Sequence, residues 1–278
     1  MTAAEGRTAV IAGRGRLPML LVEALEAGVA PVLAELEGFP VEGAADRPVE
    51  RFRLERLVPF FDRLHELGVT RVVFAGAVRR PRLEPALFDA RTAALVPRVL
   101  AAMQAGDDAT LRAVIALFEE AGFAVDAASA LVPALLPGPG VLGAHAPSEA
   151  DAADAVRAAA IVAALGAVDV GQGAVVARGL CLAVEALPGT DAMLAGLVAL
   201  PRPETLPRPA GLLYKAPKPG QDRRVDLPAI GPATVAAAAA AGLGGIVVEA
   251  GGVLLIDRAE TVAAADAAGL FLWSRAPL

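Results

Sequence analysis

The sequence predicts an α/β protein of two domains, the first Rossmann-like with a parallel sheet. Three observations carry this prediction. Short apolar runs alternate with helical periodicity from Thr8 onward in the order βαβαβ, which places parallel strands in one sheet with helices on its faces. The first run ends in Gly13-Arg-Gly15 and leads straight into a helix pattern. A Pro/Gly-rich stretch then divides the chain of 278 residues, and its second half again alternates strand and helix, as two domains of ordinary size require.

Taken in order, Thr8 to Ala12 is a short apolar run, and Leu17, Leu20, Leu21, Ala24 and Leu25 recur at helical spacing behind its tight turn. Pro31 to Leu36 reads as the second strand, Leu54 to Leu67 as a helix, and Arg71 to Ala75 as the third strand, ending at Gly76. Helices are expected over Pro85 to Ala105 and Asp108 to Ala121, with a strand at Phe123 to Asp126 closing a first domain of residues 1–132. The segment 133–147, with prolines at 133, 137, 139 and 147, suits a linker. A second α/β domain, 148–278, opens with Ser148 followed by Asp151, a helix start. Its helix continues through Ala152 to Leu165, and strands come next at Ala174–Ala177, Leu182–Ala186, Leu212–Lys215 and Gly245–Glu249. Further helices are expected at Asp191–Leu200 and Ala233–Ala241.

Composition removes several classes of function. The formal net charge is −6 and aromatics make up 4% of the chain, so neither a broad basic face nor stacking platforms for nucleic acid are evident. The hydrophobic fraction of 56% is largely alanine, and its uncharged stretches are broken by Pro or consist of Ala and Gly, unlike a transmembrane helix. No secretory signal opens the sequence. With Cys181 as its one cysteine the chain has no internal disulfide framework, which fits a cytosolic protein. Cys181, in an apolar strand pattern, reads as a buried inert thiol. His65 and His145 have no ligand spacing between them, so no zinc site is suggested.

Residues suited to handling a diphosphate are concentrated between Asp169 and Asp226. Asp169-Val-Gly-Gln-Gly173, Glu185-Ala-Leu-Pro-Gly-Thr-Asp191, Lys215-Ala-Pro-Lys-Pro219 and Arg224-Val-Asp-Leu-Pro228 place lysines, carboxylates and Gly-flanked polar groups at turns between apolar runs. Lys215 and Lys218 stand three residues apart on a Pro-stiffened turn that suits gripping phosphate, or else forms an exposed basic loop. Thr190 and Asp191 open a helix, where they either cap it or leave its N–H groups to an anion. Asp226, amid apolar neighbours, either orients a metal or water or pairs with Arg223 or Arg224. In the first domain, Gly13 ends a strand at a helix start, Gly76 and Arg80 lie at the carboxyl end of another strand, and Asp107 with Asp108 joins two helices. Those aspartates cap a helix, hold a metal or meet a substrate hydroxyl. Pro18 stands where the dinucleotide fingerprint has its third glycine.

Together these four motifs, in order and spacing, resemble the LpxI-type UDP-2,3-diacylglucosamine pyrophosphatases. The first half matches more loosely through Ile11 to Pro18, Phe74 to Pro81 and Gly106 to Arg112, so the resemblance spans nearly the whole chain. It implies a cytoplasmic or inner-membrane-surface hydrolase of lipid A synthesis that splits a lipid-linked UDP-sugar with water into UMP and lipid X, uses Mg²⁺, holds its lipid in a cleft between two domains and forms a homodimer. It assigns the essential aspartate to Asp226. On this reading Asp226, Asp191 and Glu185 are catalytic, with Asp226 and Asp191 at the metal. Gly13, Gly76, Arg80, Asp107, Gln172, Thr190, Lys215 and Lys218 contact substrate. Peripheral contact with the inner membrane is expected because the substrate is an amphiphile. Two other readings stay open: a noncatalytic carrier of a nucleotide-sugar lipid, and a dinucleotide-dependent α/β enzyme.

Overall fold

The computed structural model describes residues 6–78, 82–199 and 209–277. The chain forms two compact units, Met1–Pro133 and Ala134–Leu278.

In the first unit the elements run β1 (Arg7–Ala12), α1 (Leu17–Leu25), β2 (Val32–Leu36), β3 (Val49–Phe52), α2 (Leu57–Glu66), β4 (Val69–Ala75), α3 (Ala90–Ala93), α4 (Val96–Ala105), α5 (Asp107–Glu120), β5 (Ala124–Asp126) and α6 (Ala128–Leu131). The strands pair in parallel in the order β3-β2-β1-β4-β5, the expected Rossmann-like sheet. Ala9 and Val10 of β1 are fully buried, as a central strand covered on both faces requires. Phenylalanines fasten helices to it: Phe118 of α5 meets Phe61 of α2 edge-on at 4.8 Å and Phe74 of β4 at 5.1 Å. Such pairs add to the burial of their rings.

Three local expectations change. Strand β3, Val-Glu-Arg-Phe, is absent from the sequence reading because half its residues are charged; as an edge strand it buries Phe52 and leaves Arg51 exposed. The single helix expected over Pro85 to Ala105 is broken into a 3₁₀ turn at Pro85–Leu87, α3 and α4. Asp89 accepts hydrogen bonds from Arg91 N (3.0 Å) and Thr92 N (3.2 Å) and so starts a new helix in mid-run. The cap position of α5 falls one residue before the two aspartates. Gly106 takes that position at φ 123° and ψ 176°, a region open in practice to glycine, and Asp108 pairs with Arg112 one turn on.

The second unit contains β6 (Gly140–Val141), α7 (Glu149–Gly166), β7 (Gly173–Ala177), β8 (Leu180–Val184), α8 (Gly189–Ala199), β9 (Leu212–Lys215), β10 (Ala229–Ile230), α9 (Pro232–Ala240), β11 (Gly245–Glu249), β12 (Leu254–Leu255), α10 (Arg258–Ala267) and β13 (Phe271–Arg275). Its main sheet has the order β6-β13-β11-β9-β7-β8. Strands β9, β11 and β13 are parallel, whereas β7 runs antiparallel to both β9 and β8. Alanines 155, 158 and 159 with Val162 of α7 pack on one face, against Val176, Tyr214 and Val247. Leu194 of α8, Val235 of α9 and Ala265 of α10 cover the other, against Val175, Leu213 and Ile246. The alanine content thus serves close helix-on-sheet packing. The segment 133–147, read as a linker, is stitched into this unit from residue 134 onward: Leu135 is buried, Gly140–Val141 pairs with β13, and Leu142 N donates to Leu272 O at 2.8 Å. Ser148 and Asp151 form a reciprocal capping box at the start of α7. Among the described residues no helix is long and apolar enough to cross a membrane.

The carboxyl ends of β1 and β4 meet where the strand order of the first sheet reverses. Arg14 and Ala77 exchange both backbone hydrogen bonds, at 2.9 and 3.0 Å. A Cβ on Gly13 would lie 2.6 Å from Ala77 O, and one on Gly76, at φ +87°, would lie 2.5 Å from Arg14 O. Replacing Gly76 by Ala should therefore lower stability by roughly 2 kcal/mol or more, from the positive φ plus the clash. Gly15→Ala, at φ +93° with nothing within 4 Å, should cost only the φ contribution of about 1 kcal/mol. Equilibrium denaturation of the two variants checks the ranking.

Candidate functional site

The carboxyl edge of β9 gathers most of the residues singled out in the second unit. Lys215 is its last residue. Because β7 runs the other way, its first residue, Gly173, lies opposite Lys215, and the end of β8 delivers Glu185 to the same edge. Helix α8 then starts at Gly189, with φ +86°, which puts Thr190 and Asp191 in its first turn.

These residues form a directed chain. Lys215 Nζ donates to Thr190 Oγ1 at 2.7 Å, and Thr190 Oγ1 donates to Glu185 Oε2 at 3.0 Å. Lys215 Nζ is also 3.7 Å from Glu185 Oε2. The hydroxyl of Thr190 thus links lysine to carboxylate rather than capping α8. Lys215 is only 5% exposed. Burial lowers its pKa below the usual lysine value, opposed by the charges of Glu185 and Asp191.

The Gly-Gln-Gly motif is explained by Glu185. A Cβ on Gly171 would lie 2.1 Å from Glu185 O, and one on Gly173 would lie 2.6 Å from Glu185 Oε2. Glu185 N donates to Gly173 O at 2.8 Å. These glycines let the glutamate sit flush against the start of β7. Gln172 between them gives its carbonyl to Ala216 N at 3.1 Å, and its side chain is half-buried.

A second group lies along the Lys-Ala-Pro-Lys-Pro segment. Lys218 Nζ lies 2.5 Å from Asp169 Oδ1, and Asp169 itself adopts φ +57°. The backbone N–H of Lys218 donates to Gln221 Oε1 at 2.8 Å, while Gln221 Nε2 donates to both the carbonyl and the carboxylate of Asp226. Gln221 is buried and so ties the Lys-Ala-Pro-Lys-Pro turn to the aspartate. Beyond Asp226, Leu254 N donates to Pro228 O and Ile256 N to Ile230 O, at 2.8 and 2.9 Å, fixing the segment onto β12. Asp222 binds Arg224 at 2.7 Å, and Arg223 reaches Glu249 at 3.2 Å.

Gln221 and Glu249 are absent from the sequence reading. Glu249 carries a usable signal, since it ends a parallel strand where such sheets bind ligands; Gln221 carries none, because its role depends on a turn closing around it. Gly252 belongs with them, as a Cβ there would lie 2.7 Å from Glu249 Oε1 and 2.8 Å from Pro217 Cδ.

The remaining candidates belong to the first unit or are held by local contacts. In the first unit, Gly13 and Gly76 are required by each other's backbone, so neither glycine needs a ligand to explain it. Arg80 lies outside the described residues, and Asp107 is the first residue of α5. His65 stacks on Phe123 at 4.5 Å with Nε2 3.0 Å from Ala121 O, and His145 Nε2 is 3.3 Å from Asp266 O; both are fastened locally. Cys181, expected to be buried, is exposed on β8, the edge strand of the sheet. Among the described residues no three His, Cys, Asp or Glu side chains converge as a cation cage.

Comparison with known proteins covers both units. The LpxI N-terminal domain model matches residues 7–135 and the LpxI C-terminal domain model matches residues 138–273. The chain is similar to the UDP-2,3-diacylglucosamine pyrophosphatase LpxI of Caulobacter vibrioides, at 41% identity over 266 residues, 95% of each chain.

Removing Glu185 leaves a buried ammonium without its counter-charge, so Glu185→Ala should destabilise the protein by about 3 kcal/mol. Lys215→Met should destabilise as well, by less than Glu185→Ala, because it leaves Glu185 without its cation while the carboxylate keeps more exposure than the lysine, 13% against 6%. The linkage has a definite sign: with the folded pKa of Lys215 below 10.5, the unfolded chain holds more protons between those two values, and stability rises with pH across that window. Urea midpoints measured toward pH 10.5 should show this rise in the unaltered protein and its loss in Lys215→Met.

Proposed function

The chain belongs to the LpxI family, and on that premise we propose that it hydrolyses the diphosphate of UDP-2,3-diacylglucosamine, releasing UMP and 2,3-diacylglucosamine 1-phosphate, a step of lipid A biosynthesis. The observation that carries the reading to particular residues is the buried Lys215 at the carboxyl edge of β9, joined through Thr190 to Glu185. Hydrolysis of a phosphoric anhydride needs the charge on phosphoryl oxygens neutralised, a water oriented toward phosphorus and a leaving phosphate stabilised. Each need has an occupant here.

Lys215 and Lys218 are the cations of the site. Displacing Asp169 from Lys218 and Thr190 from Lys215 would free both ammonium groups for phosphate oxygens without moving the backbone, and Pro217 and Pro219 keep that backbone stiff. Glu185 accepts the Thr190 hydroxyl proton in a hydrogen bond and holds Lys215 in its charged state against burial. The first turn of α8 offers its N–H groups to the same anion. Asp226, anchored by Gln221, is the carboxylate we assign to the attacking water, with Asp191 and Glu185 assisting, and Gln172 to the sugar or diphosphate.

Magnesium is part of the proposal. Mg²⁺ is commonly held by one or two carboxylates together with substrate phosphates and waters, so the carboxylates of Asp226 and Asp191 fit it better than they would fit an ion that needs a full protein cage. When bound, the ion supplies charge neutralisation on the phosphoryl oxygens.

The substrate is amphiphilic, and we place the protein in the cytoplasm at the inner-membrane surface, as a homodimer. Exposed Leu187 and Val168 flank the Glu185 edge in sequence, at 91% and 69% exposure, and suit an apolar surface better than water.

Asp226→Asn should lower kcat for UMP release by about 10²-fold or more with little change in KM; an unchanged kcat would remove Asp226 from the chemistry. Hydrolysis in oxygen-18 water should place the label in one of the two phosphate products and in neither when the protein is omitted. Chelation of divalent cations should abolish turnover, and added Mg²⁺ should restore it.

A further inference from the structure

Each of the two lysines of the second unit's candidate site is matched by a carboxylate, and the two carboxylates are held in different ways. Glu185, beside Lys215, has a side chain only 13% exposed and also accepts the Thr190 hydroxyl. Asp169 lies 2.5 Å from Lys218 Nζ with its side chain 36% exposed, against 12% for the lysine. Asp169 is therefore the outer member of its pair. Among the described residues Lys218 has no other ion-pair partner.

The local fold places Asp169 there at some cost. Helix α7 ends with Asp169 N donating to Gly166 O at 3.1 Å and Val170 N donating to Leu165 O at 3.0 Å, the two bonds that close a helix around a left-handed residue. Glycine is the usual occupant of that position. Here it is Asp169, at φ +57°, and its Cβ carries a steric cost that glycine avoids. What the position gains in return is a carboxylate at the Lys218 ammonium.

The difference in exposure decides which pair can open. Parting Glu185 from Lys215 leaves opposite charges uncompensated away from water, a costly step. Parting Asp169 from Lys218 releases a carboxylate into solvent, and pairs exposed on one side are the weak ones. A phosphoryl oxygen arriving at Lys218 replaces the charge that Asp169 withdraws. Only side chains need move, because Lys218 N donates to Gln221 Oε1 at 2.8 Å and its Cα lies 3.3 Å from where a Cβ on Gly166 would stand.

We infer that Asp169 is an internal competitor for the phosphate site: it holds the Lys218 ammonium in the free protein, yields it to a phosphoryl oxygen and reclaims it as the phosphate leaves. Glu185 is the permanent counter-ion of Lys215. The inference rests on the reading of Lys218 as a phosphate-binding cation, and it makes Asp169 the residue that sets how tightly a diphosphate is gripped. A pair closed about nine-tenths of the time lowers the affinity of any anion that needs Lys218 about tenfold.

Titration calorimetry of the full chain with methylenediphosphonate, a diphosphate analogue whose bridge resists hydrolysis, tests this without turnover. Asp169→Asn should bind it about tenfold more tightly than the unaltered protein. Asp169→Gly, which relieves the left-handed position, should show the same gain. Lys218→Met should weaken binding, and adding Asp169→Asn to it should bring no gain, since the carboxylate then has no ammonium to withhold. Binding unchanged or weaker in both Asp169 variants, a gain that persists in the Lys218→Met background, or no binding by any form would overturn the inference. If the gain appears and depends on Lys218 while the unaltered protein releases no UMP from the nucleotide sugar, the hydrolase reading fails and the competitor stands. UMP release without the gain leaves the hydrolase reading in place and removes the competitor.

Discussion

A lysine ammonium held almost out of water at the end of a β-strand is the constraint around which the second unit is arranged. Burying that charge costs several kcal/mol unless it is matched by hydrogen bonds and an opposite charge. Every neighbouring peculiarity answers the requirement. Strand β7 runs against its neighbours, so that a hairpin returns Glu185 to the edge where Lys215 ends. Two glycines let that glutamate lie flush, and the left-handed Gly189 starts α8 early enough for Thr190 to stand between the two charges. On the proposed function, these neighbours also keep the cation at the edge where a diphosphate would meet it.

Much of this arrangement is legible in the sequence, and the parts that are not have physical reasons. Parallel strands such as β1, buried on both faces, announce themselves as unbroken apolar runs. Lys215, Lys218, Glu185 and Thr190 stand out because charged and hydroxyl groups beside glycine and proline mark turns. Strand β3 hides because an edge strand tolerates Glu50 and Arg51; β10 and β12 hide because two residues carry no periodicity. Helix α10 and strand β13 are within reach, since Phe271-Leu-Trp273 is a short apolar run behind Gly269, yet the alanine-rich stretch before it masks the helix face. Glycine roles are the hardest to read. Gly171 and Gly173 suggest a ligand-cradling loop, whereas the contact that forbids a side chain there comes from Glu185, which lies a hairpin away.

The first unit shows the same lesson from another side. Its Gly-Arg-Gly turn comes after a strand and precedes a helix, the arrangement that receives phosphates in dinucleotide-binding folds. Here Gly13 and Gly76 close on each other through the paired backbones of Arg14 and Ala77. Glycine at a strand end therefore records close approach, and only the structure says what approaches. The Phe61, Phe74 and Phe118 cluster holds α2 and α5 to the sheet, and α3 and α4 lie outside that cluster.

Helix α7 acts as a gauge for the second unit. Near its beginning, buried Asp154 accepts the backbone N–H groups of Arg178 and Gly179, at 2.7 and 2.6 Å, and so clamps the turn at the far end of β7. At its end, Gly166 abuts the Lys218–Pro219 turn so tightly that a Cβ would lie 2.7 Å from Pro219 Cδ. The twelve steps from Asp154 to Gly166 rise about 18 Å along a helix, and the five steps from Gly173 to Arg178 span about 17 Å of strand. The two lengths agree, and a residue gained or lost by α7 alone would shift either the Asp154 clamp or the contact of Gly166 with the Lys218–Pro219 turn. Natural length variation in this family is therefore to be sought outside α7 between Asp154 and Gly166 and outside β7, or as paired changes in the two.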